Sequence, residues 1–328
     1  MVQLMNKEVG PTGYGLMGLT WRAQPCSREQ AFEAMRESIK QGNVFWNGGE
    51  FYGTPEYNSL TLLAEYFEKY PEDADKVTLS IKGGMDLNTH KSDGSVEGTR
   101  RGIDRCLAQL KGRKKIDMFE FARRDQNADM KLSFETIQKE YIDTGKIGGI
   151  SLSEVRAETI HEAVKVAKIV ACEVELSLFA TDVLYNGVAD ACKQYDIPLV
   201  AYSPIGRGFL TGQIKTIDDL PQGALQTFPR FQKGNFEHNI TLVHQIEELA
   251  KKKGCSTTQL AIGWVRTLNG RPGMPTIIPI PGSTTAERVK ENAKVVELTD
   301  EEMAAIDKIL AVFKPIGRRY ADFIPIET

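Results

Sequence analysis

Short apolar runs rich in β-branched residues alternate, along almost the whole chain, with longer segments whose apolar positions recur at helical spacing. The strand-like runs cover residues 14–19, 44–47, 77–81, 116–121, 147–152, 169–176, 199–202 and 276–280. The helical patterns include 58–69, 96–110, 134–144, 157–167, 241–253, 257–266 and 286–295. The clearest begins at Ser27, an N-cap with Gln30 three residues on, and closes at Gly42, where a glycine favours the C′ position. Strands alternating with helices predict a parallel sheet with right-handed crossovers, and eight strands close a (β/α)8 TIM barrel. The expectation is one such domain over residues 1–328. An open doubly wound sheet is the competitor. Gly13-Tyr14-Gly15-Leu16-Met17-Gly18 fits G-x-G-x-x-G, but it overlaps the first strand, and Pro25 interrupts before the helix.

One connection is long. Residues 203–275 separate the seventh strand from the eighth, far more than a usual βα loop, and carry Gly206-Arg207-Gly208, Phe228-Pro229-Arg230-Phe231 and two helical patterns. Long loops at the C-terminal face of a barrel are where ligands bind. The tail after Leu310 is Pro-punctuated and carries Arg318-Arg319-Tyr320, placing it either over that pocket or as a loose terminus.

A net charge of −3 over 328 residues, with 41% hydrophobic and 26% charged residues, is an ordinary globular balance that gives nucleic acid or an anionic membrane no electrostatic purchase. The five cysteines, Cys26, Cys106, Cys172, Cys192 and Cys255, stand singly, as reduced thiols do in a cytosolic protein. The start of the chain is too short and too polar for a signal h-region, so the expected location is the cytoplasm, with the nucleus open by diffusion. Four histidines at unhelpful spacings (His90, His161, His238, His244) predict no metal site.

Candidate chemistry sits just beyond two neighbouring strands. Tyr52 follows Asn47-Gly48-Gly49-Glu50-Phe51, and Lys82 ends Ser80-Ile81-Lys82. A phenol beside an ammonium can protonate a carbonyl oxygen; the lysine favours phenolate and is expected to lower the phenol's pKa of about 10 into working range.

Five blocks in order resemble the aldo-keto reductase superfamily over nearly the full chain: 47–53, Lys82, 145–154, 201–208 and 280–292. Within it, Trp46-Asn47-x-Gly49-Glu50-Phe51-Tyr52-Gly53, Phe119-Glu120-x-Ala122-Arg123 and Gly282-Ser283-Thr284-Thr285 are similar to the fungal pyridoxal reductase branch. The resemblance implies NADPH-dependent reduction of pyridoxal to pyridoxine, with Tyr52 as general acid, Lys82 tuning it and Asn47 beside them. Broader aromatic aldehyde reduction and a non-catalytic NADPH-binding sensor or partner subunit are the alternatives. It implies Ser153, Glu154 and Glu173 at the nicotinamide carboxamide and Tyr202 stacked on its ring. It further implies Ser203, Pro204, Gly206, Arg207 and Gly208 at the pyrophosphate, and Gly282, Ser283, Thr284 and Arg288 around the adenosine 2′-phosphate. Glu291 and Asn292 would meet the adenine.

The chain departs from the family at two members of its catalytic tetrad. Asn47 stands where an Asp is usual, and Ala122 where a His is usual. Asn47 can still hydrogen-bond Lys82 without balancing its charge, which predicts a further depressed Tyr52. Glu120 shares the inward parity of Ala122 and is either a replacement carboxylate for Lys82 or part of a polar barrel layer. Ala122 leaves room that suits a hydroxypyridine aldehyde, whose own ortho hydroxyl can polarise the carbonyl. Carboxylates at 154 and 173, where amides are common, accept but cannot donate, leaving Ser153 as donor to the carboxamide. Oligomeric state is not legible.

Overall fold

The computed structural model describes residues 2–87, 89, 91–321 and 324–328; His90 lies outside them. Among the described residues ten strands form: β1 (Val2–Leu4), β2 (Lys7–Val9), β3 (Tyr14–Gly15), β4 (Phe45–Gly49), β5 (Thr78–Gly83), β6 (Met118–Phe121), β7 (Ile150–Ser153), β8 (Ile169–Glu175), β9 (Leu199–Tyr202) and β10 (Ile277–Ile280). β3 to β10 lie side by side in chain order, each hydrogen-bonded in parallel to the next. The first and last meet as well, through the Gly15–Gly282 bridge and Gly13 N–H donating to the Pro279 carbonyl at 2.8 Å. The sheet is thus a barrel, as the alternation predicts.

Side-chain parity divides the interior by height. At the N-terminal ends of the strands, Phe45, Met118, Ala171, Val200 and Ile278 form an apolar floor, closed from below by Val2, Leu4 and Val9 of the β1–β2 hairpin. Two residues further along the same inward faces stand Asn47, Glu120, Glu173 and Tyr202. The outward faces pack against the helices in a second, larger core.

Caps behave as the sequence predicts at the first long helix. Ser27 accepts from Gln30 N–H at 3.2 Å, and Gly42 takes φ +78° just after Arg28–Lys40. Elsewhere the elements differ in extent. The first strand ends at Gly15, where a Cβ would meet the Ile280 carbonyl at 2.9 Å and where Leu16 N–H turns to the Asn47 carbonyl; Met17–Thr20 is a helical turn. The helix expected over 134–144 spans Met130–Ile137 and widens into a π turn, Gln138–Ile142, that tucks Tyr141 into the core with its hydroxyl 3.0 Å from Asp104. Between Tyr202 and Ile277 the chain makes short 3₁₀ turns, then the helices Asn235–Lys253 and Thr257–Leu268. Among the described residues no helix is long and apolar enough to cross a membrane, and no cluster of His, Cys, Asp or Glu could hold a metal ion.

Candidate active site

β4 delivers Tyr52 to the mouth of the barrel through a tight turn, with Tyr52 N–H on the Gly49 carbonyl at 3.2 Å and Thr20 Oγ1 donating to the Tyr52 carbonyl at 2.6 Å. Glu50 anchors this turn: it is buried and paired with Arg105 of the helix Val96–Leu110, and its N–H meets the Lys82 carbonyl at 2.8 Å. The Tyr52 ring is 8% exposed. Trp21, half exposed, stacks on it at 5.5 Å and 24°, and Phe51 meets it edge-on at 4.9 Å.

Beneath the phenol lies a buried polar layer. Lys82 is flanked in register by Gly49 and Glu120 on the adjacent strands. Its ammonium is ion-paired with Glu173 and lies 3.1 Å from Glu120 Oε1; none of the three side chains exceeds 5% exposure. Asn47 Nδ2 donates to Glu173 Oε2 at 2.6 Å and to Glu120 Oε1 at 3.1 Å, and Ser151 Oγ donates to Glu120 Oε2 at 3.2 Å. Asn47 therefore meets the two carboxyl groups, not Lys82 as its position suggests. Burial drags the Lys82 ammonium down, but Glu120 and Glu173 outweigh it and hold the pKa above its ordinary value.

Tyr52 also departs from expectation. Burial pushes its phenol up to about 12; Lys82 pulls down, while Glu173 and Glu120 push up. The ammonium is compensated twice, so its field at the phenol is blunted. The charge absent at Asn47 is supplied from β6 and β8.

The rest of the mouth is occupied by the C-terminal tail. Arg319 is 9% exposed and pairs with Glu154 Oε2 at 3.1 Å and Glu175 Oε2 at 2.9 Å. Arg207 bonds the same Glu175 at 3.0 Å and lies 4.2 Å over the Tyr320 ring. Tyr202 Oη donates to Glu154 at 2.8 Å and lies 2.8 Å from Tyr320 Oη; its ring stands 5.8 Å from the Lys82 ammonium. Burial pushes the Glu154 carboxyl up, but Arg319 and Arg123 more than reverse this and hold it below the usual range. Glu154, Ser203 and Arg207 all have positive φ, conformations that non-glycine residues adopt at a cost and that cluster at functional sites.

Of the residues expected around a nicotinamide cofactor, Ser153 and Ser283 have buried hydroxyl oxygens with no hydrogen-bond partner among the described residues. Ser153 ends β7 beside Glu173, its register partner on β8. Ser283 follows β10, just before the helix Ala286–Ala293, which Thr285 caps. Since β10 pairs with β9, the 203–208 turn and the 282–292 segment leave from adjacent strand ends. Ala122 is buried after β6, with its N–H on the Gly83 carbonyl at 2.9 Å. Arg288 donates to Gln213 at 3.0 Å, Glu291 accepts from Ser256 at 2.7 Å, and Asn292 is buried. The structure thus gathers Tyr52, Lys82, Asn47, Ser153, Glu154, Glu173 and Tyr202 at one mouth. It turns Glu173 toward Lys82 and Glu154 toward Arg319, so neither faces a carboxamide position unencumbered. Sequence reasoning did not single out Trp21 or Glu175, and it named Arg319 only within a tail expected either over the pocket or as a loose terminus. The Glu173-x-Glu175 parity beside an Arg-Arg tail was the available signal for the last two.

Residues 11–311 match the family model described as Aldo/keto reductase family. A Schizosaccharomyces pombe protein named "Probable pyridoxal reductase 2" is 41% identical over 322 residues, 95% of each chain. A Saccharomyces cerevisiae protein also named for pyridoxal reduction is 40% identical, over 94% of this chain and 95% of its own. The solved glycerol dehydrogenase of Gluconobacter oxydans superposes with a TM-score of 0.79 over 95% of both chains at 22% identity, a likeness of fold.

Proposed function

The chain belongs to the aldo/keto reductase family and is a nicotinamide-dependent oxidoreductase, and from that premise we propose that it reduces pyridoxal to pyridoxine with NADPH. The observation that carries this reading is the Tyr52 phenol, seated over Gly49 and the Lys82 layer, and walled by aromatic rings. The two orphaned hydroxyls fit the cofactor: Ser153 would donate to the carboxamide, and Ser283 with Arg288 would hold the 2′-phosphate. The Tyr202 ring would lie against the nicotinamide, and the 203–208 turn with Arg207 would face the pyrophosphate. The bound cofactor supplies hydride to the carbonyl carbon.

The protein's part is the proton. Tyr52, pushed up to about 12, holds its proton at neutral pH and is a weak acid toward water. An alkoxide is a stronger base than a phenolate, so proton transfer from Tyr52 Oη to the forming alkoxide is downhill, and Lys82 stabilises the phenolate left behind. Trp21 offers a face to a planar aromatic aldehyde. Ala122 leaves space beside the carbonyl, and the ortho hydroxyl of pyridoxal fills the polarising role of an imidazole. Retention of Tyr52 and Lys82 supports turnover over a sensor role.

Tyr52→Phe is expected to lower kcat with pyridoxal by about 10²–10⁴-fold with the NADPH dissociation constant unchanged. Retained turnover in that variant overturns the assignment. The half-exposed Trp21 also favours a broader aromatic specificity. Equal kcat/KM for benzaldehyde and pyridoxal would establish that second reading.

A further inference from the structure

The layer beneath Tyr52 holds one ammonium and two carboxyl groups, all of them shut away from water. A single positive charge cannot balance two ionised carboxylates in such a place, and like charges this close do not both ionise readily. Burial first, and then the neighbouring Glu120, push the Glu173 carboxyl up to about 8, against the pull of Lys82. Asn47 is suited to this arrangement because its amide donates to both carboxyl groups at once and adds no charge. An aspartate there would bring a third negative group.

We propose that Glu120 and Glu173 form a carboxyl–carboxylate pair sharing one proton, which together provide for Lys82 the counter-charge that an aspartate at position 47 would provide. Both act through Lys82 and are positioning residues. The proposal rests on the reading of Tyr52 and Lys82 above. With the proton in place the layer is neutral, and the Lys82 field is available to the Tyr52 phenolate as it forms. Loss of the proton leaves a net negative layer under the phenol and disfavours that phenolate. Around Glu173 stand Asn47 from β4, Lys82 from β5, Glu120 from β6 and Ser153 from β7, with the Tyr202 ring over the ammonium from β9. Tyr52 itself, pushed up to about 12, does not titrate where the pair does.

The test is kcat at saturating NADPH from pH 6 to 10, for wild type and Glu173→Gln, with pyridoxal and with 4-nitrobenzaldehyde, which does not ionise in that range. Wild type should lose about tenfold per pH unit above the pair's titration near pH 8. Glu173→Gln, which mimics the protonated acid, should lack that limb whatever its rate at pH 7. The double variant Glu120→Gln/Glu173→Gln should lose about 100-fold, and adding Asn47→Asp should recover at least about tenfold. NADPH fluorescence quenching reports that each variant is folded. Infrared difference spectra of the wild type supply a reading independent of variants: the carbonyl stretch of a buried protonated carboxyl, present at pH 6.5 and gone by pH 9.5. Absence of that band, an alkaline limb that survives in Glu173→Gln, or failure of Asn47→Asp to rescue a folded double variant overturns the proposal. If Tyr52→Phe is inactive while Glu173→Gln keeps the wild-type limb, the carboxyl pair fails and the tyrosine assignment stands.

Discussion

A Cβ placed on Gly49 would lie 2.9 Å from the Tyr52 ring, a distance that real Cβ contacts essentially never show. The ring is also packed against Trp21 and Phe51. Gly49→Ala should therefore displace the phenol by part of an ångström and lower kcat/KM by about 10–100-fold, with little change in NADPH affinity. Steady-state kinetics beside a cofactor titration check this; equal losses in both would mean that the whole mouth has shifted. Single residues of this kind were partly legible in the sequence. Strand parity put Lys82 and Glu120 on inward faces, and the Tyr-Gly block marked Tyr52. What could not be read was which charges meet across the barrel. Glu173 lies 91 positions from Lys82, and its rotation toward the ammonium is decided by charge balance in a closed layer, which no local pattern encodes. The expected direction of the Tyr52 shift failed first because it left out burial, the largest influence on the phenol, and then because it counted the lysine without its two partners.

The C-terminal tail is the element that most shapes the mouth. Arg319 and Arg207 together neutralise Glu154 and Glu175, and Thr328 N–H returns to the Glu154 carbonyl at 2.9 Å. Arg319→Met strips one cation from this buried set, a kind of loss that costs about 3–5 kcal/mol unless the segment lifts and lets water reach the carboxylates. Amide hydrogen exchange over residues 314–321 should accelerate by about tenfold or more while the barrel strands keep their protection. Uniform acceleration would show that the tail is integral to the barrel. The strand–helix alternation foretold the barrel because each crossover carries its own period. The three-residue strands of the floor hairpin are too short to show a period and escaped; the helix Val188–Gln194 escaped too, although Ala157–Ala163 of the same length was read. Asp300–Val312 was a different case, since its capping box, Thr299 with Glu302, was present to be read.

Across the whole molecule the barrel separates an apolar floor from a charged mouth, and the two respond differently to pH. Glu154 at the mouth and Asp117 below the floor are held under their ordinary values, burial in both being outweighed by cationic partners. Their contribution is present above the unfolded carboxylate pKa of about 4 and is lost as pH falls through the folded values. Glu173 works the other way. Its folded pKa, raised to about 8, lies above the unfolded one, so its contribution is complete below about pH 4 and drains away as pH climbs toward 8. Stability should therefore decline from mildly acidic to alkaline pH. Glu173→Gln, which has no proton to lose, removes that decline. Its melting temperature relative to wild type should rise steadily between pH 5 and pH 9, ending about 2 °C or more above it. Thermal melts at pH 5, 7 and 9 decide the matter: parallel curves for the two proteins would mean that Glu173 does not change its protonation between pH 5 and pH 9.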